Sequence, residues 1–391
     1  MKNQQIMQQY AIPQDKLAVM KSLPTPSFVI DEAMLIKNLK RLKYIQDQSG
    51  AKILLAQKCF STFRLYPLIS SYLHGCVASG IYEARLGHEE FGKENHVFEP
   101  AYKPSDIPEL DQICDHIIFN SWNQYNLHSP RIKNASIGIR VNPEHSTQPK
   151  NHAIYDPCTA GSRLGITIDL MPEVLPADIN GFHFHTLCEQ GFDDLESTFH
   201  AFEQKFGKYL HQIKWLNLGG GHYIAHEDYA VEKLIDLVRY IRQKYNLEVY
   251  LEPGEGVVLN SGVLVTEVMD KVRNGMEILI LDCSAACHCP DVIEGPYLPP
   301  IHEAEDNANG KFVYRLSSMT CLAGDVIGDY SFQHQINIGD KIIIEDMAIY
   351  TMVKTNTFNG MPLPDIWLLN SDNSTELINR FGYQDFKMRL G

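Results

Sequence analysis

Short apolar runs recur along the first two thirds of the chain, and in the stretches between them apolar residues return every three or four positions. A strand is predicted over Ser27–Ile30, after the turn Pro24-Thr25-Pro26. It leads into an amphipathic helix over Asp31–Gln48, with Met34, Leu35, Leu39, Leu42 and Ile45 on one face. Eight apolar runs follow: Lys52–Gln57, Cys76–Ser79, Val97–Glu99, Ile117–Asn120, Ile137–Asn142, Gly181–His185, Trp215–Leu218 and Val249–Glu252. Most are separated by helical patterns, such as Ile81–Phe91, Leu195–Leu210 and Tyr229–Tyr245. Eight strands alternating with helices predict an α/β fold, a TIM-like (β/α)₈ barrel, with a doubly wound open sheet as the alternative. The long connection Pro143–Arg163 breaks the rhythm and reads as a functional or interface loop.

After Gly256 the pattern changes to strands without long helices between them: Gly262–Val268, Glu277–Leu281, Phe312–Leu316, Lys341–Glu345 and Ala348–Val353. This predicts a second, mostly β domain. The expected division is a segment 1–32 that lends a strand to the β domain, a barrel over 33–265 and the β domain over 266–391.

Composition narrows the class. A chain of 391 residues exceeds one ordinary core, and 44% hydrophobic with 21% charged residues is the balance of a soluble globular protein. A formal net charge of −14 argues against a nucleic-acid surface and suits a cationic small molecule. Met1–Leu23 is polar and Gln-rich, without the basic start and apolar run of a signal peptide, and no later stretch is long enough to span a bilayer. The expected location is cytoplasmic, with no membrane partner. Nine cysteines, an odd number, suit a reducing compartment. Cys283, Cys287, His288 and Cys289 cluster without a second, separated ligand pair, so loop packing is expected there and no metal.

In a barrel, chemistry gathers at the carboxyl ends of the strands. There the sequence places Lys58, Arg140, His185, the triplet Gly219-Gly220-Gly221, and Glu252-Pro253-Gly254-Glu255. Burial disfavours an ammonium, so a lysine there can become the neutral nucleophile that forms Schiff bases. Glycines admit a phosphate to backbone N–H groups. With a flat imidazole for a ring face and a carboxylate for a pyridine nitrogen, these are the parts that run pyridoxal phosphate as an electron sink.

From about Pro26 to Phe358 the chain resembles the alanine racemase-fold family of pyridoxal-phosphate decarboxylases. Within that family it is most similar to the carboxynorspermidine/carboxyspermidine decarboxylases. The resemblance implies that Lys58, in Ala-Gln-Lys-Cys, is the Schiff-base lysine. It also implies that His185 stacks on the cofactor, Gly219 to Gly221 hold its phosphate, and Glu252 pairs with its ring nitrogen. Arg140 and Gly254 join the cofactor set. Cys321, in Thr-Cys-Leu-Ala-Gly-Asp, matches the cysteine that reaches across a dimer interface to protonate the product carbon, and Tyr350 matches a phosphate-touching tyrosine. A homodimer with shared sites is thereby implied.

Two departures stand out. Glu255 replaces an arginine that many relatives direct at the phosphate, and Leu187-Cys188-Glu189 replaces a Gly-Ser phosphate contact. Acids select amines, so Glu255, Asp291 and Asp325 are expected to bind the ammonium groups of a carboxylated triamine. An ornithine or diaminopimelate decarboxylase, or a non-catalytic regulator that binds pyridoxal phosphate, remains an alternative.

Overall fold

The structure is a computed structural model that describes residues 12–149, 154–305 and 310–391. Residues 1–11 of the expected N-terminal segment and 150–153 of the long connection lie outside it. The chain divides into two compact units: Lys37–Val257 is one, and the residues before Lys37 join those from Val258 onward in the other.

Strand β1 (Ser27–Asp31) belongs to the second unit. The first unit holds β2 (Lys52–Ala56), β3 (Gly75–Ala78), β4 (Glu94–Phe98), β5 (His116–Phe119), β6 (Ser136–Arg140), β7 (Ile179–His183), β8 (Trp215–Asn217) and β9 (Glu248–Leu251). They pair in parallel in that order, and β9 returns to β2 with Lys52 opposite Tyr250, which closes a barrel and excludes the open sheet. Each strand falls on one of the eight apolar runs, because barrel strands covered on both faces are apolar nearly throughout.

The helices follow the 3.6-residue pattern. Glu32–Ser49 buries Leu35, Leu39, Leu42 and Ile45, and Phe192–Phe206 buries Phe192, Leu195, Phe199, Phe202 and Phe206. Val231–Tyr245 buries Leu234, Ile235, Val238 and Ile241, and ends where Asn246 turns left-handed at φ 56°. Ile81–Phe91 is not one α-helix: regular turns stop at Leu86 and Gly87–Phe91 widens into a π turn. There Gly87 presses on β3, where an added Cβ would meet Cys76 Sγ at 2.6 Å.

The second unit is a nine-stranded sheet. Its later strands are β10 (Gly262–Asn274), β11 (Met276–Leu281), β12 (Ala304–Glu305), β13 (Phe312–Ser318), β14 (Val326–Phe332), β15 (Lys341–Ile344), β16 (Asp365–Leu369) and β17 (Thr375–Asn379). They run in the order β12-β14-β13-β11-β10-β1-β16-β17, with β15 also on β10. Strand periodicity sorts β10 between two cores: Leu264 packs with Leu279, Leu316 and Tyr330, while Val263 and Val265 pack with Leu17, Met20, Val29 and Ile343. The boundary expected at 265 therefore shifts. Ile30 pairs with Gly262 and Ser27 with Val265, so the whole of β10 belongs to the sheet; an apolar pattern reveals a strand without revealing its partner.

Ala348–Val353 was expected as a strand and is a series of turns, with Tyr350 at φ 56°, a backbone that no ladder accepts. No helix among the described residues is long and apolar enough to cross a membrane.

Candidate active site

Strand β2 stops at Ala56, two residues short of Lys58. The Cys59 N–H closes the turn onto Ala56 O at 3.0 Å. Gln57 and Cys59 are both fully buried, and Gln57 accepts the Tyr66 hydroxyl at 3.1 Å. Lys58 is thus the exposed residue between two anchored ones. Its surface is open, yet the surrounding protein withdraws water: desolvation is the largest influence and lowers its pKa, Arg140 lowers it further, and Glu252 opposes them. A larger share of the amine is uncharged at neutral pH than in a free lysine. Gly254 lets its chain lie directly against this turn, since a Cβ there would stand 2.7 Å from Cys59 Cβ.

Glu252 follows β9 immediately. Its Oε1 accepts the Asn217 Nδ2–H at 2.6 Å, while Asn217 Oδ1 accepts the Gly219 N–H at 2.9 Å. One asparagine ties the carboxylate to the glycine loop, and the second bond fixes which way its amide faces. Oε2 lies 3.6 Å from His183 Nε2. Burial alone would raise the carboxyl pKa; His183, Lys58 and Asn217 outweigh it and hold it at about 2, so Glu252 is ionised at neutral pH.

His185 lies two residues beyond β7. The Gly220 N–H donates to its Nδ1 at 3.1 Å, and Gly220 O lies 3.2 Å from the same nitrogen. Burial, then Lys58 and Arg140, push its pKa well below the usual histidine value. Arg140 Nη2 donates to His185 O at 2.9 Å, and the guanidinium lies 4.6 Å over the Phe98 ring. Burial lowers Arg140 to about 10, which leaves it charged. Its Nε is buried without a partner among the described residues.

The glycine loop corrects one expectation. Of its three amides, Gly219 and Gly220 are spent on Asn217 and His185, and Gly221's is the one without a partner among the described residues. The loop still admits no side chain: a Cβ would lie 2.2 Å from Glu252 O at Gly220 and 1.9 Å from Leu187 O at Gly221. A phosphate would therefore be met by the Gly221 N–H and the bare backbone beside it.

Glu255 opens the short helix Gly254–Val258. After burial, Glu189 and then Glu255 raise the Cys188 thiol to about 12. The Tyr223 hydroxyl donates to Glu189 Oε2 at 3.1 Å. The sequence reading named Glu255 and missed Glu189 as a partner, although Glu189 sits in the departing segment Leu187-Cys188-Glu189. It also missed Asn217 and His183, whose signals were the Asn before the glycines and the first histidine of His-Phe-His.

In the sheet unit, Asp325 is 1% exposed. It accepts Ser284 Oγ at 2.6 Å, Ser318 Oγ at 2.5 Å, the Ala286 N–H at 3.2 Å and the Thr320 hydroxyl. Three of these bonds fall on Oδ2 and one on Oδ1, so the carboxylate ties Ser284, Ala286, Ser318 and Thr320 together. Asp325 pins the segment before the exposed Cys321, whose N–H donates to Asn359 Oδ1 at 2.9 Å. Asp291 was likewise expected to be available and is paired with Lys354 at 2.5 Å. Tyr350 sits in the turns that replace the expected strand. Cys283, Cys287 and Cys289 are buried, and His288 spends Nε2 on Pro362 O at 2.9 Å and Nδ1 on the Ser284 N–H at 3.2 Å.

Asp325→Asn is expected to cost roughly 2 kcal/mol or more, because an amide NH₂ must then face hydroxyl donors, read as a lower melting temperature. Burial would raise the Asp325 pKa, but its donors outweigh this and lower it below 3.8. A carboxyl held lower in the folded state adds stability above its unfolded value and loses it as pH falls through the folded one. The variant should therefore show a flatter acid limb; an unchanged melting temperature and limb would contradict the assignment.

The barrel mouth fits pyridoxal phosphate. It offers a partly neutral amine for a carbonyl carbon, a neutral imidazole for a ring face, a carboxylate for a ring nitrogen, and a loop closed to side chains for a phosphate. The comparisons agree. A family model described as pyridoxal-dependent decarboxylase, C-terminal sheet domain, matches residues 27–348. The chain is 40% identical over 380 residues to a carboxynorspermidine/carboxyspermidine decarboxylase of Campylobacter jejuni, covering 94% of this chain and 99% of that protein. It is 41% identical over 376 residues to a carboxyaminopropylagmatine decarboxylase of Synechocystis, covering 95% and 97%. A crystal structure of carboxynorspermidine decarboxylase from Campylobacter jejuni, complexed with norspermidine, superposes with a TM-score of 0.88 at 40% identity, covering 94% of this chain and all of that one. The chain belongs to the pyridoxal-dependent decarboxylase family.

Proposed function

We propose that this protein removes the α-carboxyl group of carboxynorspermidine, carboxyspermidine or both, leaving norspermidine or spermidine. The observation that carries this reading is one barrel mouth holding an amine of lowered pKa, a carboxylate kept ionised and an acidic rim. Near full-length likeness to proteins of that name supports the substrate. When bound, pyridoxal phosphate supplies the electron sink that makes loss of carbon dioxide feasible.

The chain's own residues do the rest. Lys58 would hold the cofactor covalently through its amine. Glu252, steadied by Asn217, keeps a proton on the ring nitrogen. His185 covers the ring face, with Arg140 gripping its carbonyl from behind. The Gly221 amide and the bare Gly219–Gly220 backbone take the phosphate, Gly254 keeps its helix against the Lys58 turn, and Tyr350 adds a contact to the phosphate. Glu255 at the rim receives a substrate ammonium, and Asp291 contributes by exchanging Lys354 for another. Cys321, exposed on its loop, protonates the product carbon in a site shared across a homodimer. The nine free thiols suit a reducing cytoplasm.

The Synechocystis relative gives a second reading weight, a substrate ending in a guanidinium. Carbon dioxide release by the cofactor-loaded protein separates the two. The panel is carboxynorspermidine, carboxyspermidine, carboxyaminopropylagmatine, ornithine and diaminopimelate. The proposal expects release from one or both carboxylated triamines ahead of the others; release from diaminopimelate or ornithine alone would overturn the substrate and keep the cofactor chemistry.

A further inference from the structure

We propose that His183 is a positioning residue that acts through Glu252, donating a ring N–H to its second oxygen so that the carboxylate stays ionised and aimed at the cofactor's ring nitrogen. The proposal rests on the reading of Glu252 given above.

The fold leaves one imidazole of the barrel mouth without a task. His183 ends β7, is 2% exposed, and has no hydrogen-bond partner at either ring nitrogen among the described residues. A buried N–H left unpaired is costly, so such a group marks an unfinished contact or a ligand still to come. Its neighbours supply few acceptors. Arg140 stands opposite it on β6 and is cationic, and the Phe98 ring lies 5.5 Å away at a tilt. Glu252 is the acceptor within reach: its Oε2 is 3.6 Å from Nε2, beyond hydrogen-bond length by about half an ångström.

The carboxylate needs such a partner. Oε1 is already taken by Asn217 at 2.6 Å, and Asn217 cannot turn away because its other end holds the Gly219 N–H. Oε2 has two lone pairs, enough for His183 on one and the ring nitrogen's N–H on the other. With both oxygens held, Glu252 cannot rotate out of line. Burial first, then the cationic Arg140 and Lys58, favour a neutral imidazole against the pull of Glu252, and the neutral ring carries the single N–H this role requires.

A space-filling role for the same side chain makes different predictions, and glutamine and methionine separate the two because they are close in shape and only glutamine donates. In the full-length holoenzyme loaded with ¹⁵N-labelled pyridoxal phosphate, the wild type should show the ¹⁵N shift of a protonated ring nitrogen. His183→Met should move it toward the neutral value and lower kcat by roughly tenfold or more, with KM changed less than about threefold. His183→Gln should keep most of both. Glu252→Gln, run alongside, tests the reading beneath: if it leaves the shift unmoved, Glu252 does not serve the ring nitrogen and the proposal falls with it. If Glu252→Gln moves the shift and His183→Met does not, the role of His183 alone is overturned. Equal impairment of the glutamine and methionine variants, each folded by circular dichroism, overturns it in favour of shape. Should His183→Met not fold, His183→Gln carries the test, since the proposal requires it to retain the protonated shift.

Discussion

Lys58→Ala is expected to leave a folded protein that no longer holds pyridoxal phosphate covalently and decarboxylates at least about a thousandfold more slowly, the scale on which loss of a covalent group is felt. The fold should survive because the side chain is exposed and the turn is anchored by its neighbours: Gln57 accepts Tyr66, and Cys59 is fully buried. Stability should change by no more than about 0.5 kcal/mol. Visible absorbance of the bound cofactor and carbon dioxide release check the two halves of the prediction. Retained turnover with an unchanged spectrum would mean that another amine does the work. The same variant tests the shared site. Mixed with Cys321→Ala, itself impaired, random reassortment of symmetric dimers should restore about a quarter of wild-type activity, because half the dimers are mixed and each has one intact site. No recovery on mixing would place both residues in one subunit's site.

Gly221→Ala is the second large effect. The added Cβ would lie 1.9 Å from Leu187 O on a backbone at φ +82°, so either the loop or the His185–Gln190 segment must move. The left-handed conformation itself costs about 1–2 kcal/mol; the collision adds to this and displaces the one loop amide still open to a phosphate. Affinity for pyridoxal phosphate should fall by about a hundredfold or more, measured by equilibrium titration of the apoprotein. Gly92→Ala is the internal control. It sits at φ +70° with nothing within 4 Å of an added Cβ, so it should lose a little stability and no cofactor affinity. Equal affinity losses in both variants would show that backbone strain, not the cradle, is responsible.

The barrel was legible because its strands are short apolar runs at intervals that helices fill, and the site was legible because function sits where those runs end. Lys58, His185 and Glu252 follow from that rule with the family resemblance beside it. What escaped was pairing. Asp325 looked like a carboxylate awaiting an ammonium, but its donors come from Ser284 and Ala286, about forty positions earlier, and from the neighbouring Ser318 and Thr320. Asp291 finds Lys354 across 63 positions. No local pattern encodes such partners. Ala348–Val353 has the composition of a strand and the backbone of a turn. The glycine triplet was read as offering backbone N–H groups to a phosphate, and two of them are taken, one by the nearby Asn217 and one by His185, which only the folded barrel brings alongside.

On this reading the amine that carries the cofactor is Lys58, in the turn after the first barrel strand. Borohydride reduction of the wild-type holoprotein, followed by digestion and mass spectrometry, tests it most directly, because reduction fixes the cofactor to whichever amine holds it. The pyridoxyl mass should appear on the peptide containing Lys58 and on no other; its appearance on a different lysine, or on none while the protein remains active, would contradict the account.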